Sequence, residues 1–219
     1  MMIYKKFHLF PLLFILILFF NVNNSFSAEL GRIEYNPNLL DYSKLNFNKI
    51  KSEADNNFNL FLQSTNETDK NNYLNTATSK YYILTKIDPS QIVPYIQLGR
   101  IYDYTDHPRL AKESFCKAIN INPISPYTNL YFGDFYYNRR DYTKALRHYR
   151  IAYNNGLNNK YELNLKLAII NEKLADLTNA KKFYEITYKM KPDEKIQEKI
   201  QLLNELNYDK SEYYHIIRE

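Results

Sequence analysis

Apolar and small residues recur along this chain with a long period. From Ile92 they fall at Tyr95, Leu98, Gly99, Tyr102, Ala111, Phe115 and Ala118, and the stretch closes on Pro123. From Pro126 the order returns as Phe132, Gly133, Tyr136, Ala145, Tyr149 and Ala152, with Leu157 where the first copy has proline. After one inserted residue a third copy starts at Tyr161 and places Leu167, Ala168, Ala180, Tyr184, Thr187 and Pro192; Asn171 stands where the others have Tyr102 and Tyr136. Backwards from Ile92, a frame from Phe58 fits Ala77, Tyr81, Leu84 and Pro89, but its first half (Ser64, Thr65, Thr68) breaks the pattern. Terminal copies of a repeat often degenerate, because one face meets solvent or a cap.

Spacings of three and four between apolar residues predict helices, two per copy. Neither helix can bury its apolar stripe alone, so the copies must stack. Where two helices cross, a side chain larger than Gly or Ala forces the axes apart. Gly99 with Ala111, Gly133 with Ala145, and Ala168 with Ala180 are therefore expected to meet at crossings. A helical Gly costs about 0.5–1 kcal/mol relative to Ala, which closer packing would offset. The pairs Tyr102/Phe115 and Tyr136/Tyr149 are expected to fill the wider gaps.

The punctuation agrees. Ser90, Ser125 and Asp141 are expected helix caps, Pro108 and Pro126 suit a first turn, and Pro89, Pro123 and Pro192 end units. Lys51–Gln63 is expected to be the first helix of the degenerate copy. Glu194–Asn207 carries Ile196, Ile200, Leu203 and Leu206 at helical spacing and reads as a helix covering the open end; Ser211–Glu219 extends it or starts another. Ala28–Lys49 is polar and Asn-rich, and reads as an extended lead-in. The expected units are 28–50, 51–91, 92–125, 126–160, 161–194 and 195–219.

At these positions the sequence resembles the tetratricopeptide repeat (TPR) family, with Tyr95 in place of the usual Trp. The resemblance implies an all-α fold: a right-handed α-solenoid of helix-turn-helix units with a C-terminal capping helix. It implies a non-catalytic scaffold or adaptor that holds a protein or peptide in its concave groove. Carried over position by position, the groove is Val93, Ile96, Arg100, Asp103 and Tyr104 in one copy and Tyr127, Leu130, Asp134, Tyr137 and Asn138 in the next. The third copy offers Glu162, Leu165, Ile169, Glu172 and Lys173. The apolar members can equally pack against the following unit. The family's clamp for chaperone tails is not reproduced, since Leu62 and Ile96 stand at one of its positions and Arg100 at another.

The chain's start adds an address. Lys5 and Lys6 precede the apolar run Leu12–Phe20, then polar Asn21–Asn24 and the small residues Ser25, Ser27 and Ala28. That order is a secretory signal peptide over residues 1–27, cut before Ala28. The expected destination is a bacterial periplasm or the outside. Retention of the segment as a membrane tether is the alternative, and membrane contact is expected only then.

Composition removes other classes. With 219 residues and 45% hydrophobic side chains, the chain can bury a substantial core. Removing residues 1–27 takes away Lys5 and Lys6 and no acid, so the net charge of +5 becomes +3, too small by itself to point to nucleic acid or anionic lipid. Cys116 is the one cysteine, so no internal disulfide forms, and it reads as a small hydrophobe on a helix. The histidines are scattered, and no zinc spacing, serine-nucleophile elbow, phosphate-binding loop or dinucleotide fingerprint occurs. No catalytic residue, metal or cofactor is expected; an enzyme or small-ligand carrier using the cradle as its pocket is the last alternative. Arg139, Arg140, Lys144, Arg147, His148 and Arg150 form a basic cluster, read here as a solvated turn and outer helix face rather than a site for nucleic acid or an acidic partner.

Overall fold

The computed structural model describes residues 41–205; the expected signal segment and the stretch Ser211–Glu219 lie outside them. Among the described residues there are nine α-helices and no strand. They are α1 (Phe47–Gln63), α2 (Glu67–Ile87), α3 (Ile92–Tyr104), α4 (Pro108–Ile121), α5 (Pro126–Asn138), α6 (Tyr142–Ala152), α7 (Tyr161–Lys173), α8 (Leu177–Met190) and α9 (Glu194–Glu205). The helices pack as hairpins α1/α2, α3/α4, α5/α6 and α7/α8, each resting on the next, and α9 lies against α8. Helix α3 also touches α5 directly. The odd-numbered helices thus form the inner layer of the curve and the even-numbered ones the outer layer. This is an all-α solenoid of the TPR kind.

The small positions are where the hairpins close. Ala54, Ala77, Ala111, Ala145, Ala168 and Ala180 are fully buried. One expectation changes: the nearest neighbour of each helical glycine is a ring rather than the partner alanine. A Cβ on Gly99 would stand 2.7 Å from the Phe115 ring, and one on Gly133 would stand 2.5 Å from the Tyr149 ring. The alanine lets the helices approach, and the aromatic one turn further on lays its ring over the glycine. Tyr149 therefore does not fill a gap beside Tyr136 so much as close the contact itself.

The broken first frame has a simple cause. Helix α1 starts at Phe47, capped by the Asn46 side chain at 3.0 Å from the Lys49 N–H, and Phe47 and Ile50 pack on the core. The chain is therefore helical four residues before Lys51. Ala54 takes the role of the glycine, but it precedes Ala77 by 23 residues where Gly99 precedes Ala111 by 12. The 11 extra residues equal about three helical turns, shared between the two helices of the hairpin. Ser64 and Thr65 sit in its turn, and Thr68 falls in the first turn of α2, whose cap is Asn66.

The inserted residue of the third copy is equally local. Tyr153–Leu157 forms a wide π-type turn in which Gly156 takes φ 117°, a conformation open to glycine and strained for others. Leu157 turns inward and is buried where Pro123 stands one unit earlier. Ser125 and Asp141 cap as expected, accepting from Thr128 N–H at 3.4 Å and Lys144 N–H at 3.2 Å, and Pro108 and Pro126 open their helices. Ser90 does not cap. Gln91 stands at that position without a side-chain capping bond, because Asp88 accepts from both the Ser90 hydroxyl, at 2.6 Å, and the Gln91 amide, at 2.9 Å. Cys116 is half-buried on α4 against the Phe115 cluster.

Candidate partner-binding groove

Polar links between successive inner helices run along the concave layer. The Arg100 guanidinium on α3 lies over the rings of Phe58 on α1, at 4.9 Å, and Tyr131 on α5, at 4.3 Å. Its Nη1 donates to Gln97 at 2.8 Å. Asp103 accepts from Arg139 at 2.6 Å and from Asn138 at 3.4 Å. Asp134 on α5 accepts from the Tyr149 hydroxyl at 2.6 Å and from Lys166 on α7. Glu172 on α7 accepts from the Tyr184 hydroxyl and from Lys199 on α9 at 2.7 Å. An acid one residue past the small position, bonded to the ring one hairpin strand away, also occurs in the first unit as Asp55 and Tyr81, at 2.7 Å. Burial and these carboxylates push the Tyr81 and Tyr149 phenols far above their usual range, so both stay hydroxyl donors.

The fifteen residues assigned to the groove by position separate in the structure. Ile96 and Glu172 are buried. Leu130, Tyr137, Leu165 and Ile169 are half-buried and pack on the core around Leu163 and Leu167. Arg100, Asp103 and Asp134 are half-buried and engaged as described. Val93, Tyr104, Tyr127, Asn138, Glu162 and Lys173 are exposed, Tyr104 at 62% and Tyr127 at 50%. Tyr104 also sets its edge against Phe61 of α1, with centroids 5.0 Å apart.

The groove holds a cleft at its α9 end. A cleft of about 400 Å³ opens between α7 and α9, walled by Tyr161, Leu165, Ile169 and Ile196. Lys173 and Lys195 stand at its border, and the Glu172–Lys199 pair lies in its polar corner. An apolar wall with a few converging charges suits an apolar side chain flanked by a carboxylate. Among the described residues no group of three His, Cys, Asp or Glu side chains is placed to hold a metal. No described helix is long and apolar enough to cross a membrane.

The basic cluster of the sequence does not form one patch. Arg139 turns to the groove, paired with Asp103 and lying 3.8 Å over the Phe135 ring. Lys144 pairs with its own cap Asp141 at 2.6 Å. His148 is a packing residue, stacked on Tyr136 with an interplanar angle of 7° and close to Phe132. Burial first, then Arg147, pulls its pKa down to about 4. The Asn129 amide donates to the carbonyls of Pro123 and Ser125, both at 2.9 Å, so its oxygen faces His148 at 2.9 Å. The proton of the neutral imidazole therefore sits on Nδ1. Of this cluster, Arg140, Arg147 and Arg150 are the members that are exposed and have no ion pair among the described residues.

Asn129 escapes a reading made from apolar positions. It is fully buried, and Asn164 repeats it one unit on, donating to the carbonyls of Asn158 at 2.8 Å and Lys160 at 2.9 Å. Both asparagines tie down the turn between units. Their spacing, equal to the repeat period plus the inserted residue, was the available signal.

Residues 94–125, which span most of α3 and all of α4, match the tetratricopeptide repeat model. No curated protein matches the chain. Among solved structures, PilF of Pseudomonas aeruginosa is 18% identical with a TM-score of 0.57, over 71% of this chain and 69% of that one. PilW, a widely conserved type IV pilus biogenesis factor, is 19% identical with a TM-score of 0.55, over 66% of this chain and 63% of that one. MamA of Desulfovibrio magneticus RS-1, from its residue 41 onward, is 12% identical with a TM-score of 0.58, over 76% of this chain and 90% of that one. At such identities the likeness is one of fold. One hairpin, α3/α4, is thus similar in sequence to the tetratricopeptide repeat, and its neighbours stack on it by the same Gly/Ala and aromatic pattern into an all-α solenoid of the tetratricopeptide-repeat fold.

Proposed function

We propose that the inner layer holds a segment of a protein partner, and that the chain is a non-catalytic scaffold or adaptor exported to a bacterial envelope. The cleft between α7 and α9 carries this reading, because it is open to solvent, apolar-walled and continuous with the groove positions of α7. The exposed rings of Tyr104 and Tyr127 supply further contact area at low entropic cost. A side chain of the partner seats in the cleft, and its backbone runs along the inner helices toward α3. The likeness to PilW, a pilus biogenesis factor, supports an envelope setting. So does the order of residues at the chain's start.

A photo-crosslinking amino acid placed at Ile169 or Tyr127 of the full chain, expressed in its native host, tests the groove. One recurring partner captured from both positions, and not from Lys182 on the outer layer, is the expected result. Capture equal from all three sites removes the groove from the account. The mature N-terminal residue, read by mass spectrometry, decides export: Ala28 means release and Met1 means a retained tether.

A further inference from the structure

The two layers differ in charge far more than the net charge of the chain reveals. Helices α4, α6 and α8 of the outer layer carry nine lysines and arginines against two acids, Glu113 and Glu185. The inner helices α3, α5 and α7 carry three against four. Six of the outer cations, Arg109, Lys112, Arg147, Arg150, Lys182 and Lys189, are exposed and have no ion pair among the described residues. Each of the three helices contributes two of them. Arg147 and Arg150 fall one turn apart on the face opposite Ala145 and Tyr149.

This face lacks what holds a protein partner. Large exposed apolar side chains are absent from the body of α4, α6 and α8, and protein interfaces are built round an apolar core. A spread of cations without such a core matches a surface whose charge is itself spread, such as lipid headgroups. The border of the face adds a second observation. Ile121 and Met190 end α4 and α8, and Ile124 follows in the next turn; all three are exposed, Ile124 at 61%. Lys189 and Lys191 flank Met190. Aliphatic tips beside cations suit the boundary between headgroups and acyl chains, whereas they gain nothing on a nucleic-acid backbone. The apolar run Leu12–Phe20 is expected to bring the chain to a bilayer whether it is then cut or kept.

We propose that the outer layer docks on an anionic phospholipid bilayer, with Lys112, Arg147, Arg150 and Lys182 over the headgroups and Ile121, Ile124 and Met190 entering at the edge. The groove would then face away from the lipid. The two surfaces are separate, so the groove reading and this one can fail independently.

Flotation of the full chain with vesicles of phosphatidylcholine, alone or mixed with phosphatidylglycerol at about 3:1, provides the test. The N-terminal segment is common to every sample, so the readout is the difference between the two vesicles. The anionic vesicles are expected to bind more tightly, and that gain should vanish in high salt. Replacing Lys112, Arg147 and Arg150 together by Gln should remove the gain, a loss on the order of a hundredfold. Lys112→Arg with Arg147→Lys and Arg150→Lys should retain it. Ile124→Ser should weaken binding without changing its salt dependence. Three results overturn the proposal: no preference for anionic vesicles, an equal loss when Lys49, Arg140 and Lys160 are replaced by Gln, or tighter binding to duplex DNA or polyglutamate than to the vesicles.

Discussion

Gly133→Ala sets two effects of known size against each other. Within a helix the change alone gains about 1 kcal/mol, because alanine has the higher propensity. Here the new methyl would stand 2.5 Å from the Tyr149 ring, closer than carbon atoms approach without displacement. Relief requires the ring to move by about 1 Å. It cannot do so freely, since Tyr149 is fully buried and its hydroxyl is fixed at 2.6 Å to Asp134, which also holds Lys166. Overpacking of this kind costs about 1–3 kcal/mol, so the net change is expected to be destabilising. For a chain of this length each kcal/mol lowers the melting temperature by about 2–4 °C. Thermal unfolding followed by circular dichroism reads it directly. Tyr149→Leu is a second arm: once the ring is gone, the alanine should stabilise, giving a coupling of opposite sign to the single change. A higher melting temperature for Gly133→Ala in the native background would refute the ring-over-glycine contact.

Two further expectations concern backbone and protons. Arg140 sits in the tight turn between α5 and α6 with φ 58°, a left-handed conformation that disfavours side chains, so Arg140→Gly should raise stability by about 0.5–1 kcal/mol in urea unfolding. For His148, the folded pKa of about 4 lies below the unfolded 6.5. Its stabilising contribution is complete above the unfolded value and is lost as pH falls toward 4, because unfolding then takes up a proton. Melting curves between those limits should flatten in His148→Gln; an unchanged slope would mean the imidazole is not held neutral.

The period was legible because it is written in small residues and rings, whose spacing follows from helix geometry. Ala111, Ala145 and Ala180 could be read as contact points, and Pro108, Ser125 and Asp141 as helix starts, because each obeys a local rule. The three-turn extension of α1 and α2 was not legible. It preserves helical character while shifting the frame, so Ser64 and Thr68 look like failures rather than a displaced turn. Ser90 was misread for a related reason: a nearer acceptor, Asp88, outcompetes the helix end for its hydroxyl. The separation of Arg139 from Arg147 and Arg150 depends on which side of a turn each falls. Charge order along the chain does not carry that, and neither does the burial of His148 between two rings.

The links Asp103–Arg139, Asp134–Lys166 and Glu172–Lys199 all lie on the inside of the curve and each joins two neighbouring inner helices. They act as lacing along one side of a bent strip. Straightening the strip, which widens the groove, must stretch or break a lace; tightening the bend breaks none. The ion pairs therefore oppose straightening of the inner edge and leave closing of the bend unopposed. Being partly exposed, the laces weaken in salt, so high ionic strength is expected to loosen this inner edge.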